Sequence, residues 1–293
     1  MKIALIKLHV AVFLVGFTAI LGALISLSGM VLVWYRLLLT VLSLYAYLRV
    51  TNRLQKLSKE AYIRLMVFGI IIALHWVFFY SSIKLTNVSI ALVCFSATGF
   101  FTAIIEPLLI TKKVKIAELG LSLLSIAGIY LIFHFDTRYK TGIAVGIISA
   151  LLAALFSVLN KKNISLANAQ TTIFYELLGG IIVLSILMPL YLYWFPGTAL
   201  IPSLSDWGWL LILSWVCTAL AMQLMLEALQ KVSAFTQNLS LNLEPVYGIV
   251  MAFFLFHENE QVHSSFYVGV SLIIFSVLLQ IWLLRRAHRL SNT

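Results

Sequence analysis

The feature that most constrains this chain is a succession of long apolar runs separated by short polar stretches. A helix rises about 1.5 Å per residue, so roughly 20 apolar residues cross the hydrocarbon core of a bilayer. Ten runs qualify: 8–27, 30–50, 65–84, 87–111, 116–134, 142–160, 171–194, 207–229, 235–256 and 265–284. None shows the period-2 alternation of a barrel strand. The expected fold is therefore all-α, a polytopic membrane protein with ten transmembrane helices. Composition agrees: of 293 residues, 62% are hydrophobic and 10% charged, against about 25% charged in a soluble domain. Mean hydropathy is +1.05. These values exclude a soluble enzyme, a disordered chain and a disulfide scaffold. Cys94 and Cys217 each lie inside an apolar run and read as small packing residues.

Basic residues set the expected orientation. A net charge of +10 would suggest nucleic acid in a soluble chain; here it matches the excess of Lys and Arg in cytoplasmic loops. With the N-terminus inside, the cytoplasmic segments hold Lys2, Lys7, Arg49, Arg53, Lys56, Lys59, Arg64, Lys112, Lys113, Lys115, Lys161, Lys162, Lys231, Arg285, Arg286 and Arg289. The outer segments hold Lys84, Arg138 and Lys140, and Arg36 lies within a helix. This sixteen-to-three split favours ten helices with both termini cytoplasmic. The first run is too long for the apolar core of a signal peptide and no A-x-A site follows, so it reads as a retained helix.

The order of elements repeats. Tyr35-Arg36 in VWYRLLLT matches Tyr175-Glu176 in IFYELLGG at an offset of 140 residues. Gly99 to Lys112 matches Pro245 to Glu258, each interval spanning 13 residues. Two five-helix units, over 1–140 and 141–293, are expected. The second begins on the opposite side of the membrane, making an inverted repeat of the kind found in secondary transporters. Loops follow suit: the basic 49–64 loop corresponds to FPGTALIPSLSD, which has no basic residue.

With this plan in place, ALQKVSAFTQNLSLNLEPVYGIVMAFFLFHENE and its first-half counterpart SSIKLTNVSIALVCFSATGFFTAIIEPLL resemble the EamA-type branch of the drug/metabolite transporter superfamily. The likeness covers roughly 9–134 and 142–284. It implies an exporter or exchanger of amino acids or other small metabolites, with a central cavity lined by helices one, three, four, six, eight and nine. The proline and acidic residue typical of the fourth helix are kept only in the second half, as Pro245 and Glu258. Gly99 and Lys112 replace them in the first.

No enzyme motif appears, so the chemistry rests on polar groups inside helices, which are costly in lipid and face a cavity or a partner. Glu244 precedes Pro245, beyond a polar helix start that includes Asn238 and Asn242. It reads either as a site for a substrate amine or proton or as an interhelical brace. Thr98, Thr102 and Glu106 share one helix face, and Glu106 reads as a brace or solvated group or as a handler of substrate or proton. Arg36 reads either as meeting a backbone carbonyl or a solvated vestibule, or as a planar fork offered to a carboxylate. Glu176, its equivalent in the repeat, belongs to the other third of the bilayer and is not expected to pair with it. Near the midplane, His75 is either a packing residue or a proton group. Trp76, Tyr80 and Tyr247 form an aromatic pocket or serve as packing anchors. Glu227 is expected to meet Lys231 at i+4.

These readings converge on a secondary transporter of the cytoplasmic (inner) membrane. It would carry a small polar metabolite by alternating access, outward in preference, needing no cofactor. Its partners would be the small-molecule substrate and the lipid bilayer, with no nucleic acid, and it fits a monomer and a homodimer alike. The alternative is a membrane-embedded enzyme or lipid-handling protein, which would need paired acids in a lateral groove.

Overall fold

The computed structural model describes residues 2–110, 120, 123, 127, 128, 130, 137–163, 165–229, 240, 241, 243–260, 262 and 264–290. Every regular element among them is helical: α1 Lys2–Leu24, α2 Gly29–Val50, α3 Lys59–Leu85, α4 Val88–Phe95, α5 Thr98–Ile110, α6 Lys140–Lys162, α7 Ala169–Trp194, α8 Leu204–Leu211, α9 Ala221–Leu229, α10 Glu244–Phe256 and α11 Ser264–Leu290. A π-helical segment, Ile212–Leu220, joins α8 to α9. Short 3-10 turns cover Thr137–Tyr139 and Glu258–Glu260.

Helix starts follow local chemistry. The side chains of Ser58, Asn87 and Asn168 accept hydrogen bonds from the backbone N–H of Ala61, Ile90 and Thr171. Each answers a first-turn donor that has no partner within its own helix. Ser203 and Asp206 form a reciprocal capping box at the start of α8. Between α4 and α5, Ser96 Oγ donates to the Val93 carbonyl (2.6 Å) and Thr98 Oγ1 to the Phe95 carbonyl (2.6 Å). These hydroxyls draw carbonyls out of the helical ladder where the expected fourth span breaks.

Among the described residues, seven stretches are long and apolar enough to cross a membrane: Ile3–Leu24, Gly29–Val50, Lys59–Leu85, Val88–Ile110, Lys140–Lys162, Ala169–Trp194 and Leu204–Met225. They match the first to fourth and sixth to eighth expected spans. The ninth and tenth are represented by the shorter apolar stretches Glu244–Phe256 and Ser264–Ser276. Most of the fifth, 116–134, lies outside the described residues. Large apolar side chains such as Ile186, Tyr193, Leu204 and Phe254 point outward from the bundle. A continuous apolar exterior of this kind suits lipid as its surroundings.

Contacts sort the helix termini into two ends. One end gathers the finish of α1, the start of α2, the finish of α3, and the starts of α4, α6 and α8. There Lys84 Nζ donates to the Ile25 carbonyl, Ser26 N–H bonds Asp206, and Gly142 lies against Thr86. The opposite end gathers the start of α1, the loop after α2, and the starts of α3 and α7. There Arg64 bonds Asn163 (3.1 Å), Gln55 N–H bonds Thr171 (3.1 Å), and Lys7 reaches Glu227 (2.6 Å). At 23 residues, α1 separates these ends by about 34 Å. Lys7, Arg49, Arg53, Lys56, Lys59, Arg64, Lys161 and Lys162 lie at the second end, called the basic end below; Lys84, Arg138 and Lys140 lie at the first, the Asp206 end.

Glycine sets the tightest crossing. A Cβ at position 69 of α3 would overlap the Glu176 carbonyl of α7. One at position 179 of α7 would overlap the Met66 backbone. The two helices therefore touch backbone to backbone, as small residues allow in a bilayer.

Candidate substrate site

Arg36 lies two turns into α2, about 10 Å from its start. It is 4% exposed. An unpaired guanidinium there would be very costly, so its surroundings define a built site. Nε donates to Thr218 Oγ1 (2.8 Å) and Nη1 to the Tyr80 hydroxyl (2.9 Å). The guanidinium carbon sits 3.7 Å above the centre of the Trp76 ring, a cation–π contact between two buried groups.

The π segment supplies one of these partners. Its wider turn lets Thr218 Oγ1 donate to the carbonyl of Leu213, five residues back (2.7 Å), while also accepting from Arg36. Single π turns within α-helices are frequent at functional sites. The Arg36 carbonyl is held as well, by Thr40 Oγ1 (2.7 Å) and Ser214 Oγ (3.3 Å). Both the backbone and the side chain of Arg36 are thus fixed against the π segment.

Tyr80 is fully buried. A Cβ at Gly22 of α1 would overlap its ring, so glycine there lets the ring lie against α1. Thr18 of α1 bonds the Tyr80 hydroxyl. Glu244 is 7% exposed and opens α10, with Pro245 in the first turn. This proline position needs no N–H partner, which explains a helix beginning here. Gly16 lets α1 approach, since a Cβ there would lie 3.2 Å from the Glu244 carbonyl. Glu244 is close enough to Arg36 for the two charges to interact. Five elements (α1, α2, α3, the π segment and α10) therefore deliver a cation, a carboxyl group, two aromatic rings and two threonine hydroxyls to one buried centre.

The other expected residues make their contacts away from this centre, although His75 lies within electrostatic range of Arg36 as Glu244 does. His75 Nδ1 is 3.0 Å from the Ser149 carbonyl and 2.8 Å from Ser149 Oγ, and Ser149 Oγ donates to the His75 carbonyl (3.0 Å). The imidazole also stacks on Phe95. These contacts fasten α3 to α6. Thr98 bonds the Phe95 carbonyl at the end of α4 (2.6 Å), and Thr102 the Thr98 carbonyl of its own helix (2.8 Å). Glu106 pairs with Lys161 of α6 at 2.5 Å. The Tyr247 ring meets Phe13 of α1 edge-on. Glu227 accepts from Lys7 and from Gln223; its expected partner Lys231 lies outside the described residues, as do Asn238 and Asn242.

Thr18, Thr40, Ser214 and Thr218 were not singled out in the sequence. Hydroxyls are common in membrane helices; contact with Arg36 marks Thr40, Ser214 and Thr218, and contact with Tyr80 marks Thr18. A hollow between α4, α10 and α11, lined by Val93, Pro245, Ile249 and Val270, is apolar and lies apart from the Arg36 contacts.

Comparison with known proteins places this geometry in context. The sequence pattern of the EamA-like transporter family matches residues 2–134 and again 140–282. An uncharacterized transporter of Haemophilus influenzae is 26% identical over 162 residues, 52% of this chain and 53% of that relative. The chain thus spans about half the length of this curated relative. A protein of known crystal structure superposes with a TM-score of 0.66 over 97% of this chain and 98% of its own, at 14% identity. That likeness concerns the fold alone. With the family pattern running over nearly all of its length, the chain belongs to the EamA-like transporter family.

Proposed function

We propose that the protein is a secondary transporter, an exporter or exchanger of small polar metabolites such as amino acids. The observation that carries this reading is the burial of Arg36 and Glu244 within electrostatic reach of each other. An amino acid brings one carboxylate and one ammonium. Arg36 would take the carboxylate through its planar fork, and Glu244 the ammonium. Trp76 and Tyr80 would form the wall. Asn238 and Asn242 would add hydrogen bonds from the polar segment before α10, and Tyr247 of α10 would bound the site against α1. Thr98, Thr102 and Glu106 would line the approach from the basic end, while His75 would brace it.

Access would alternate by movement of two inverted five-helix units, 1–140 and 141–293, in a ten-helix bundle. The reading draws support from the two family matches and from the opposed directions of α2 and α7, the equivalents in the repeat. The positive-inside rule would put the basic end in the cytoplasm of an inner membrane.

Exchange of labelled amino acids across proteoliposomes tests this. The loss of one charge-assisted contact, worth about 1.5–3 kcal/mol, should lower apparent affinity by roughly 10- to 100-fold. Glu244→Gln and Arg36→Lys should both show that loss while eluting as folded protein. Undiminished exchange in both variants would remove the site from the proposal.

A further inference from the structure

Glu176 takes no part in the Arg36 centre. It lies on α7 about 10 Å from the basic end, and it is 1% exposed. Asn160 of α6 bonds its carboxyl group, yet Oε1 has no hydrogen-bond partner. A carboxylate in that position would leave half its charge unanswered among protein atoms, which is far more costly than leaving one neutral carbonyl oxygen unpaired. The surrounding ionisable groups do not supply a counter-charge, being exposed or engaged elsewhere. From α3, Tyr62 packs on Tyr175, Arg64 bonds Asn163 and His75 meets Ser149; Lys59 and Glu60 are exposed. From α6, Lys161 holds Glu106 and Lys162 is exposed. From α2, Arg49 lies over Tyr45 and Arg36 bonds Thr218; from α9, Glu227 holds Lys7.

The same residue lies at the backbone contact between α3 and α7. Gly69 faces the Glu176 carbonyl, and a Cβ at Gly180 would lie 2.9 Å from the Gly69 carbonyl. Separating these two helices would expose this part of α7 to water.

We propose that Glu176 is a proton-binding site distinct from the Arg36–Glu244 centre, protonated while α3 and α7 are in contact and releasing its proton towards the basic end when they part. The proton comes from and returns to bulk water, with no other bond made or broken. Only the use of that proton to drive substrate rests on the transport reading.

Infrared difference spectroscopy of the purified full chain at neutral pH tests the proposal without any substrate. Subtracting Glu176→Gln from wild type isolates this one carboxyl group and leaves Glu244 out of the difference. A carboxylic-acid carbonyl band is expected; carboxylate bands in its place overturn the proposal. Gly69→Leu should prise the seam open and convert that band to carboxylate, and a folded Gly69→Leu protein that keeps the acid band also overturns it. If that variant does not fold, the Glu176→Gln difference alone decides. Failure of amino-acid exchange would sink the substrate reading and leave these bands unaffected, so the two claims fail separately.

Discussion

The two ends of the bundle handle carboxylates in opposite ways. At the Asp206 end two of them, Asp206 and Glu258, are buried and answered largely by fixed backbone donors. Asp206, 1% exposed, accepts from the N–H and hydroxyl of Ser26 (2.7 and 2.6 Å) and from the N–H and hydroxyl of Ser203 (3.0 and 2.7 Å). Glu258 is buried too, its two oxygens accepting from the first N–H groups of α4, Val88 (2.9 Å) and Ser89 (2.8 Å). At the basic end two carboxylates meet lysines near the surface: Lys7–Glu227 has side chains 40% and 37% exposed, and Lys161–Glu106 is also partly exposed. Buried charges held by immobile donors are expensive to separate, whereas exposed ion pairs contribute little. The contrast describes a molecule clasped firmly at one end and lightly at the other.

Three substitutions can break or sharpen this contrast, each followed by thermal unfolding in detergent. Asp206→Ala leaves the donors of Ser26 and Ser203 unanswered and should cost about 3 kcal/mol, the largest effect. Glu258→Gln keeps the shape but removes the negative charge from the α4 N-terminus, and should cost about 1–2 kcal/mol. Lys7→Ala should cost under about 1 kcal/mol. Its effect should fade in about 1 M salt, where the screening length shrinks to about 3 Å. Equal losses from Asp206→Ala and Lys7→Ala would abolish the distinction between the ends.

Much of this architecture was legible in advance because it rests on local pattern. Span ends followed apolar run length: α2 and α6 begin and end within two residues of expectation. The grouping of lysines and arginines at one end was readable for the same reason, whereas α10 opens at Glu244, inside the expected 235–256 span. Long-range convergence was not. Arg36 and Thr218 are 182 positions apart, and no spacing rule joins them. The π turn carries no composition signal in ILSWVCTAL, so the orientation of Thr218 could not be read. Asp206 shows the intermediate case: the Ser203-x-x-Asp206 spacing is a visible cap, while the reach of the same carboxylate to Ser26 depends on how α1 meets α8. His75 was recognised as a midplane group, but its attachment to Ser149 depends on a helix 74 residues away.

The wide turn at Ile212–Leu220 bears on how such a bundle could change shape. One residue more per turn is a register offset held within a single helix. Were the offset to relax into ordinary α geometry, each residue given back would swing everything beyond it by about 100°. Thr218 would then turn away from Arg36, and the guanidinium would lose a partner without any helix having to tilt. The chain thus holds, in nine residues of backbone, a rotary detent set against the buried Arg36 guanidinium.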